Sequence, residues 1–450
     1  MDRGDHFTGP RPPWAWAPAR RAAERLLSPV QRFLAVEAAS GLLLVAATVG
    51  ALVWANSRWS ASYESLWHTA IGLQVGPFSF LRPLHFWVND VLMAVFFFVV
   101  GLEIRRETYE GELADLKRGA LPIAAALGGM LAPAAIYAAL NTGRAGSSGW
   151  GIAMATDIAF AVGVLTMMRS RVPPPLRVLL LALAVIDDIG AIAVIAFFYT
   201  EGIAVGGVLT TAGGLAVVAM LRSVGVRSPA AYLAPAAIVW AGLYGAGIHP
   251  TLAGVLLGLM TPVRPWLGLA GFAAATEEHL HGIANGPDRQ ALLARLSAIE
   301  AARREAISPA ERLQHNLHPW VAFGIMPLFA LANAGVRLGG ADLAGDGLFV
   351  FLGVVAGLAV GKPLGIYAAS AAATAAGIAA RPSDASKRGV LMVGIVGGIG
   401  FTMSLFIAQL AFPPGPMLDT AKLAILVGSL WSGAAGVAFA MAAVPFRRAP

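Results

Sequence analysis

The feature that most constrains this chain is a pair of adjacent acids, Asp187 and Asp188, in the middle of an apolar segment. The segment runs from about residue 175 to 199, which is long enough for one membrane-spanning helix of about 20 apolar residues. A charge at the centre of such a helix costs about 3 kcal/mol or more, so two neighbouring acids require compensation from other parts of the fold. The sequence therefore predicts a membrane helix with a functional carboxylate pair at its centre.

Composition places the rest of the chain in the membrane as well. Mean hydropathy is +0.70, and 57% of the residues are apolar while only 13% are charged, which is typical of an integral membrane protein rather than a soluble globule. The chain has no cysteine, which excludes disulfides and thiolate metal sites. The net charge of +7 resides in loops between apolar segments, so it indicates membrane topology and contact with lipid, not a nucleic-acid partner. No cofactor is expected.

Twelve apolar segments are candidates for membrane spans, and the basic residues between them indicate their orientation. Of the 32 Lys and Arg residues, five fall in loops on one side, one lies within a span, and the other 26 face the cytoplasm if both termini are cytoplasmic. This bias supports an even number of spans. We therefore predict a multi-pass protein of the inner (plasma) membrane, with a tail at 1–31 and a membrane domain at 32–447. The candidate spans lie near 33–56, 86–104, 119–140, 150–168, 175–199, 203–221, 229–247, 249–263, 319–336, 348–378, 388–412 and 418–445.

Two loops are longer than a connection between spans requires. The loop at 57–83 faces outward, and its residues 73–80 alternate on both sides of a Gly-Pro turn, which predicts a small β-hairpin. Because an exposed strand edge pairs readily with a second copy of a chain, this hairpin is a candidate for homodimer contact. The loop at 264–317 faces inward and contains a predicted surface helix at 288–306, which we interpret as part of an accessory insert.

Four ionisable residues stand near the middle of predicted spans: Asp157, Asp187, Asp188 and Lys362. One interpretation is that they form buried ion pairs that hold helices together. However, one Lys neutralises only one carboxylate, which leaves two acidic sites that must bind protons, a metal cation or both. Burial and mutual repulsion favour the neutral form of the adjacent acids, so a proton and a hard cation such as Na⁺ or Li⁺ would compete for them.

Glycine-rich stretches in two spans, one in each half of the chain, predict interrupted helices. Thr156 and Asp157 are flanked by glycines in the first stretch, and the second contains Gly398 and Gly400. Paired interruptions are typical of secondary transporters, in which half-helix ends meet at the ion site. Asp157 would then offset two positive helix ends, and Lys362 two negative ones. The alternative is that the glycines only permit close helix packing.

Five motifs along the chain resemble those of NhaA-type bacterial sodium/proton antiporters. The resemblance runs from about Arg32 to Arg447, and it is specific because five separate motifs match. The motifs are Ala155-Thr156-Asp157-Ile158-Ala159-Phe160, Ala184-Val185-Ile186-Asp187-Asp188-Ile189-Gly190-Ala191-Ile192, Leu317-His318-Pro319-Trp320, Gly361-Lys362-Pro363-Leu364-Gly365-Ile366 and Gly398-Ile399-Gly400-Phe401-Thr402-Met403-Ser404.

The resemblance implies an all-α polytopic membrane protein with about twelve transmembrane helices, inverted repeats, two interrupted, crossing helices and a small outward β-hairpin. It also implies a homodimer that exchanges intracellular Na⁺ or Li⁺ for a larger number of external protons, for sodium and pH homeostasis. Asp188 would be the principal ion and proton site, with Asp187 as its partner and the salt-bridge mate of Lys362. The residues assigned to the helix crossing are Thr156, Asp157, Gly398 and Gly400.

A second cluster resembles the pH-sensing region of the family, with ordinary charge pairing at the membrane interface as the alternative. Its members stand at predicted cytoplasmic helix ends: Glu103, Arg106, Glu107, His315 and His318. The chain departs from the family pattern at Gln314, where an acid is typical. His249 stands at an outward helix start, where the resemblance implies a pH or dimer role and a helix cap is the simpler interpretation.

Two other functional classes also place acids or cation paths in the membrane. An intramembrane aspartyl protease has its two acids on two helices, with a Gly-x-Gly-Asp signature that this chain lacks. A passive cation channel usually needs a pore ring built from several subunits, whereas this carboxylate pair is single and asymmetric. We therefore predict a secondary transporter rather than an enzyme or a channel.

Overall fold

The computed structural model describes residues 37–168, 172–200, 202–284, 289–380 and 386–443, and most of these residues are helical. The predicted tail at 1–31 lies outside the described residues. Three long helical stretches contain a π-helical turn, at Trp87–Leu92, Val321–Ile325 and Gly357–Gly361. Such turns realign the side chains that follow them and are frequent at functional sites.

The first half of the described chain alternates helices with short connections, apart from one hairpin near its beginning. Its elements are α1 (Glu37–Ala55), α2 (Ser60–His68), β1 (Ala70–Val75), β2 (Phe78–Pro83), α3 (Leu84–Glu110), α4 (Leu116–Asn141), a short 3-10 helix (Ser147–Gly151), α5 (Ile158–Met167), α6 (Pro174–Phe198), α7 (Val205–Ser223), α8 (Leu233–Ala246) and α9 (Leu252–Met260).

The second half begins with the insert and continues through the longest helices of the bundle. Its elements are α10 (Gly268–Ala284), α11 (Arg289–Ala306), α12 (Pro309–Trp320), α13 (Met326–Asn333), α14 (Gly345–Ala375), α15 (Lys387–Gly397), α16 (Phe401–Ala411) and α17 (Pro416–Ala443).

The predicted fold class is confirmed, because each of the twelve apolar segments coincides with a described helix or with consecutive helical pieces. Within the described ranges, six helices are long and apolar enough to cross a membrane. Two further pairs pass the same test only together, since α1 and α2 meet at 112° and α15 and α16 at 48°. The bend between α15 and α16 is the predicted interruption in the second half.

The predicted hairpin is present, and β1 pairs with β2 in antiparallel register with Val75 opposite Phe78. Gly76 occupies the turn at φ +57°, a conformation that glycine adopts without steric cost. The sequence analysis did not predict α2, which precedes the hairpin in the same loop. We call the membrane face that carries the hairpin the hairpin face and the opposite one, which carries α10 and α11, the insert face.

Arg82 anchors the hairpin to the bundle. Its guanidinium donates a hydrogen bond of 2.7 Å to the hydroxyl of Tyr244 on α8 and lies 5.4 Å from the ring centroid of Phe80. Other hairpin side chains remain uncovered, and Ile71 and Leu73 are 47% and 63% exposed. The hairpin is therefore a fixed projection with an apolar surface.

The insert is a pair of packed helices, α10 and α11, of which the sequence analysis predicted only the second. Arg227, between α7 and α8, anchors it with a guanidinium 2.6 Å from the Glu305 carboxylate and 4.4 Å above the Trp266 ring. On the exposed surface of α11, a hydrogen bond from Arg303 lowers the pKa of Glu300 to about 2. The insert is thus joined to the rest of the chain through Glu305 and Trp266, and it exposes the charged Glu300 and Arg303.

A close contact between α4 and α14 depends on two glycines. A Cβ atom built on Gly128 lies 2.2 Å from the carbonyl oxygen of Gly365, and one built on Gly365 lies 2.1 Å from the carbonyl oxygen of Gly128. Backbone atoms cannot rotate away as a flexible side chain would, so only glycine permits this approach. The contact also positions Lys362, which lies one turn before Gly365 on α14.

Replacing Gly365 by Ala is expected to lower the free energy of unfolding by roughly 1–3 kcal/mol, because the added methyl group forces α4 and α14 apart. Thermal unfolding of the purified protein in detergent measures the change. Gly213→Ala on α7 is the matched control, since a Cβ atom there has nothing within 4 Å. Equal unfolding temperatures for the two variants would contradict the packing argument.

Candidate functional site

The two acids Asp187 and Asp188 lie at the middle of α6 and are 0% and 2% exposed. Pro174 and Pro175 occupy the first turn of α6, where a missing N–H donor carries no penalty. Consecutive residues of a helix project about 100° apart, so the two carboxylates meet different neighbours.

Asp187 forms the only described ion pair in which both side chains are fully buried. Its Oδ2 lies 3.0 Å from Nζ of Lys362 and 2.6 Å from the hydroxyl oxygen of Thr156. Lys362 also donates a hydrogen bond to the carbonyl oxygen of Met154. The structure thus brings three of the predicted site residues into one contact, and the partner of Lys362 is Asp187 rather than Asp188.

Asp157 lies where the two interrupted helices meet. Its Oδ1 accepts a hydrogen bond of 3.0 Å from the backbone N–H of Phe160, so it caps α5. Its Oδ2 accepts one of 3.1 Å from the backbone N–H of Thr402, and another from the Thr402 hydroxyl, in the first turn of α16. One carboxylate therefore caps two helix N-termini, where negative charge is favourable.

The glycines of the second interruption allow the two chain segments to touch. The N–H of Asp157 donates a hydrogen bond of 2.7 Å to the carbonyl oxygen of Ile399. A Cβ atom on Gly398 would lie 2.4 Å from the carbonyl oxygen of Leu358, and one on Gly400 would lie 3.1 Å from that of Ala155. Both glycines therefore serve close backbone approach at the crossing.

Two hydroxyl residues at the crossing, Thr402 and Ser404, were not singled out by the sequence analysis. Thr402 binds Asp157, and Ser404 donates a hydrogen bond of 2.6 Å to the carbonyl oxygen of Ile152. Their only signal in the sequence was membership of the glycine-rich motif. The group that each hydroxyl meets, a carboxylate for Thr402 and a backbone carbonyl for Ser404, lies in the other half of the chain.

Two buried oxygen atoms of the acid pair remain without a hydrogen-bond partner among the described residues, Oδ1 of Asp187 and Oδ1 of Asp188. Unsatisfied buried acceptors are costly. Glu103 is near enough to Asp188 for a charge on either side chain to act on the other. Carboxylate oxygens are ligands that hard cations prefer, so the arrangement can bind a proton or a small alkali cation.

The predicted pH-sensing residues separate into three environments. Arg106, His315 and His318 line one cavity of about 1300 Å³ on the insert face. Glu107 instead accepts a hydrogen bond of 2.7 Å from the backbone N–H of Glu112, in the turn that follows α3. Glu103 lies one turn earlier on the same helix, where its side chain is partly buried. Gln314, where the chain departs from the family pattern, also lines the cavity.

His249 lies near the hairpin face, away from that cavity. Its Nδ1 is 2.8 Å from the hydroxyl oxygen of Thr251, and its Nε2 is 3.8 Å from Oδ1 of Asp90. Helix α9 begins at Leu252 with Thr251 in the N-cap position. The polar side-chain contacts of His249 are thus with Thr251 and Asp90, while its backbone carbonyl accepts a hydrogen bond of 3.1 Å from the N–H of Leu252.

Comparison with known proteins gives one consistent family. The family model described as Na+/H+ antiporter 1 matches residues 31–440. A protein of Sorangium cellulosum named Na(+)/H(+) antiporter NhaA 2 is 56% identical, over 95% of this chain and 92% of its own length. A protein of the same name from Myxococcus xanthus is 54% identical, over 95% and 91%. The Na(+)/H(+) antiporter NhaA of Bordetella petrii is 47% identical, over 94% and 92%.

Lys362→Ala is expected to destabilise the fold by about 3–5 kcal/mol, because it leaves the Asp187 carboxylate buried without its counter-charge. Thermal unfolding in detergent measures the loss. A double variant, Lys362→Ala with Asp187→Asn, should recover part of it, since no unpaired charge remains. An unfolding temperature that is unchanged in Lys362→Ala would show that the pair does not stabilise this region.

Proposed function

This chain belongs to the Na+/H+ antiporter 1 family and exchanges sodium ions for protons, and from this premise we propose which residues carry the exchange. Asp188 is the principal site for Na⁺ or Li⁺ and for the proton, and Asp187 is its partner. The supporting observation is that each acid keeps a buried oxygen atom without a hydrogen-bond partner in the described part of the chain, while the ion pair of Lys362 is with Asp187. The cation and the proton are both cargo, and no resident cofactor is required.

Competition between a proton and a cation for one buried carboxylate couples the movements of the two ions. With the Asp187–Lys362 pair intact, one negative charge remains at Asp188, and the low-dielectric surroundings make an uncompensated charge there very unfavourable. Either a proton or a cation neutralises it. Both together would leave an excess positive charge beside Lys362, so one cargo leaves when the other arrives.

Thr156 links the ion site to the helix crossing. Its hydroxyl oxygen lies 2.6 Å from Asp187 and 3.0 Å from the carbonyl oxygen of Gly397, in the interrupted segment of the other half. A change in the charge of the acid pair therefore acts on the backbone at the crossing through the Thr156 hydroxyl. Asp157 has the structural role of balancing the two helix N-termini.

We assign the hairpin face to the outside, and the insert face and both termini to the cytoplasm of a cell inner membrane. The support is the distribution of basic residues along the sequence, since 26 of the 32 fall in the termini and the loops assigned to the cytoplasm. In this orientation the inward proton gradient drives Na⁺ out of the cell. If Lys362 or Asp187 also exchanges a proton, more protons than sodium ions move in each cycle, and the exchange is electrogenic.

Regulation by pH is assigned to the cavity on the insert face. Arg106, His315 and His318 line it together, and histidine is the side chain that changes charge near neutral pH. Glu103 and Glu107 lie on either side of Arg106 on α3, and we assign them to the same regulatory region although the cavity itself is lined by other residues. His249, beside Asp90, is a separate candidate near the hairpin face.

The hairpin is proposed as the contact of a homodimer in the lipid bilayer. Ile71 and Leu73 project from it with about half of their surface or more uncovered, and Arg82 holds it rigidly against α8. A second copy would cover these apolar side chains and pair the free strand edges. No nucleic-acid partner is proposed.

A secondary transporter fits the acid pair better than an intramembrane protease. A protease of that class activates water between two acids on different helices. Here the acid on the other interrupted segment, Asp157, is committed to the N-termini of α5 and α16. The remaining two acids are adjacent on α6, and one is held by Lys362.

Everted membrane vesicles that contain the protein are expected to lose a preformed pH gradient when Na⁺ is added, and Asp188→Asn should abolish this response. The amide keeps the size of the side chain but removes the charge for which the two cargoes compete. Asp346→Asn is the matched control, since Asp346 lies at the surface beside Arg144. Full sodium-dependent proton movement in Asp188→Asn would contradict the assignment.

Binding of Na⁺ to the purified protein in detergent should release protons. Isothermal titration in two buffers with different ionisation enthalpies measures this directly, because released protons add the heat of the buffer to the heat of binding. The difference should disappear in Asp188→Asn. Sodium binding with identical heats in both buffers at every pH would contradict the competition.

A further inference from the structure

Three side-chain amides form a closed hydrogen-bonded ring between the ion site and the hairpin face. Nδ2 of Asn89 donates to Oε1 of Gln409 at 2.6 Å, Nε2 of Gln409 donates to Oδ1 of Asn333, and Nδ2 of Asn333 donates to Oδ1 of Asn89 at 2.8 Å. We call these three residues the carboxamide ring. They come from α3, α16 and the end of α13, so the ring ties three helices together.

The carboxamide ring is largely buried, with Gln409 partly exposed, and its polar atoms have hydrogen-bond partners. Asn89 and Asn333 are 7% and 0% exposed. His85 lies with Nε2 at 2.9 Å from Oδ1 of Asn333, and the second N–H of Asn333 binds the carbonyl oxygen of Phe329 at 2.9 Å. Asn89 stands in the π-helical turn of α3, which realigns its side chain. A complete buried network of this kind selects one arrangement of its helices.

Helix α16 connects the ring to the helix crossing. Thr402, in its first turn, binds Asp157. Gln409 follows seven residues later, which is about 10 Å along the helix axis. Between them, the buried Phe406 has its ring centroid 5.3 Å from that of Phe97 and 5.2 Å from that of His249. Along one helix, the crossing is thus followed by an aromatic layer and then by the carboxamide ring.

We propose that the carboxamide ring is the gate of the hairpin face, and that Asn89, Asn333 and Gln409 position α3, α13 and α16 so that this face is closed. A transporter must close one face while its site is open to the other. Amide groups can exchange their partners for water at small net cost, whereas an apolar seal of the same size would have to expose hydrocarbon to water. A ring of amides can therefore hold the three helices together in the closed state and separate at a small cost in free energy. The proposal rests on the ion site proposed above.

The absence of cysteine from the chain allows a direct test of the gate. Ser404→Cys places a single thiol on α16 at a position that is 0% exposed, at the crossing and two residues before Phe406. A membrane-impermeant maleimide is applied to right-side-out and to everted vesicles, and the rate of labelling is measured. Gln409→Leu breaks two sides of the ring and is expected to raise that rate roughly tenfold, in the one vesicle orientation that exposes the hairpin face.

Asn141→Leu is the matched control, because it removes a fully buried amide of similar size outside the ring. Nδ2 of Asn141 donates to the carbonyl oxygens of Tyr137 and Phe349 and so ties α4 to α14. It should leave the labelling rate unchanged. Asn89→Ser removes the amide that α3 contributes to the ring and should also raise the labelling rate. It takes the place of Gln409→Leu in the test if Gln409→Leu does not fold.

The gate is overturned if both ring variants label as slowly as the parent, or if Asn141→Leu raises the rate to the same extent. In the second case, general loosening of the bundle explains the labelling. Failure of the proposed ion site would appear elsewhere, as sodium-dependent proton movement that persists in Asp188→Asn. The gate is therefore tested by the labelling rate, and the ion site by sodium-dependent proton movement.

Discussion

The ion pair between Asp187 and Lys362 is the interaction on which the centre of this protein depends. Both side chains are fully buried, and the two charged atoms are 3.0 Å apart. In a low-dielectric interior neither charge is tolerable without the other. Since the centre holds three acids and this single Lys, the pair also defines what remains to be compensated. Asp157 is compensated by two helix N-termini, whereas Asp188 has no ion-pair partner among the described residues, which is the ground on which we proposed it as the ion site.

Interrupted helices leave backbone groups without intrahelical partners, which a membrane interior does not tolerate. In this protein the site residues themselves satisfy several of those groups. Lys362 binds the carbonyl oxygen of Met154, Thr156 that of Gly397, and Ser404 that of Ile152. These side chains thus belong to the proposed ion site or the crossing and also satisfy backbone carbonyls of the interrupted helices. A change of charge at the acid pair therefore acts directly on the helix crossing, because some of these side chains contact both.

The peripheral elements of the two faces are attached in a similar way. Arg82 fastens the hairpin through Tyr244 and Phe80, and Arg227 fastens the insert through Glu305 and Trp266. A guanidinium can donate hydrogen bonds at its edge while its plane lies over an aromatic ring. The gate proposed at the carboxamide ring lies between the hairpin attachment and the helix crossing.

The sequence by itself determined the spans, the hairpin and the position of the acid pair. The length of an apolar segment and the alternation around a Gly-Pro turn are local patterns, and the thickness of the bilayer converts the first directly into helices. The same patterns did not reveal α2 or α10, whose residues have mixed polarity and whose helical state depends on packing.

Only the tertiary structure decided which partners the buried polar groups take. Lys362 selects Asp187 rather than its neighbour, Thr402 binds an acid 245 positions away, and Asn89 meets an amide 320 positions away. It also separated Glu107 from the histidines with which the family pattern groups it. The physical reason is that a buried polar group must be satisfied by whatever the fold brings near it. That neighbour is set by helix packing across the whole bundle, which no local pattern encodes.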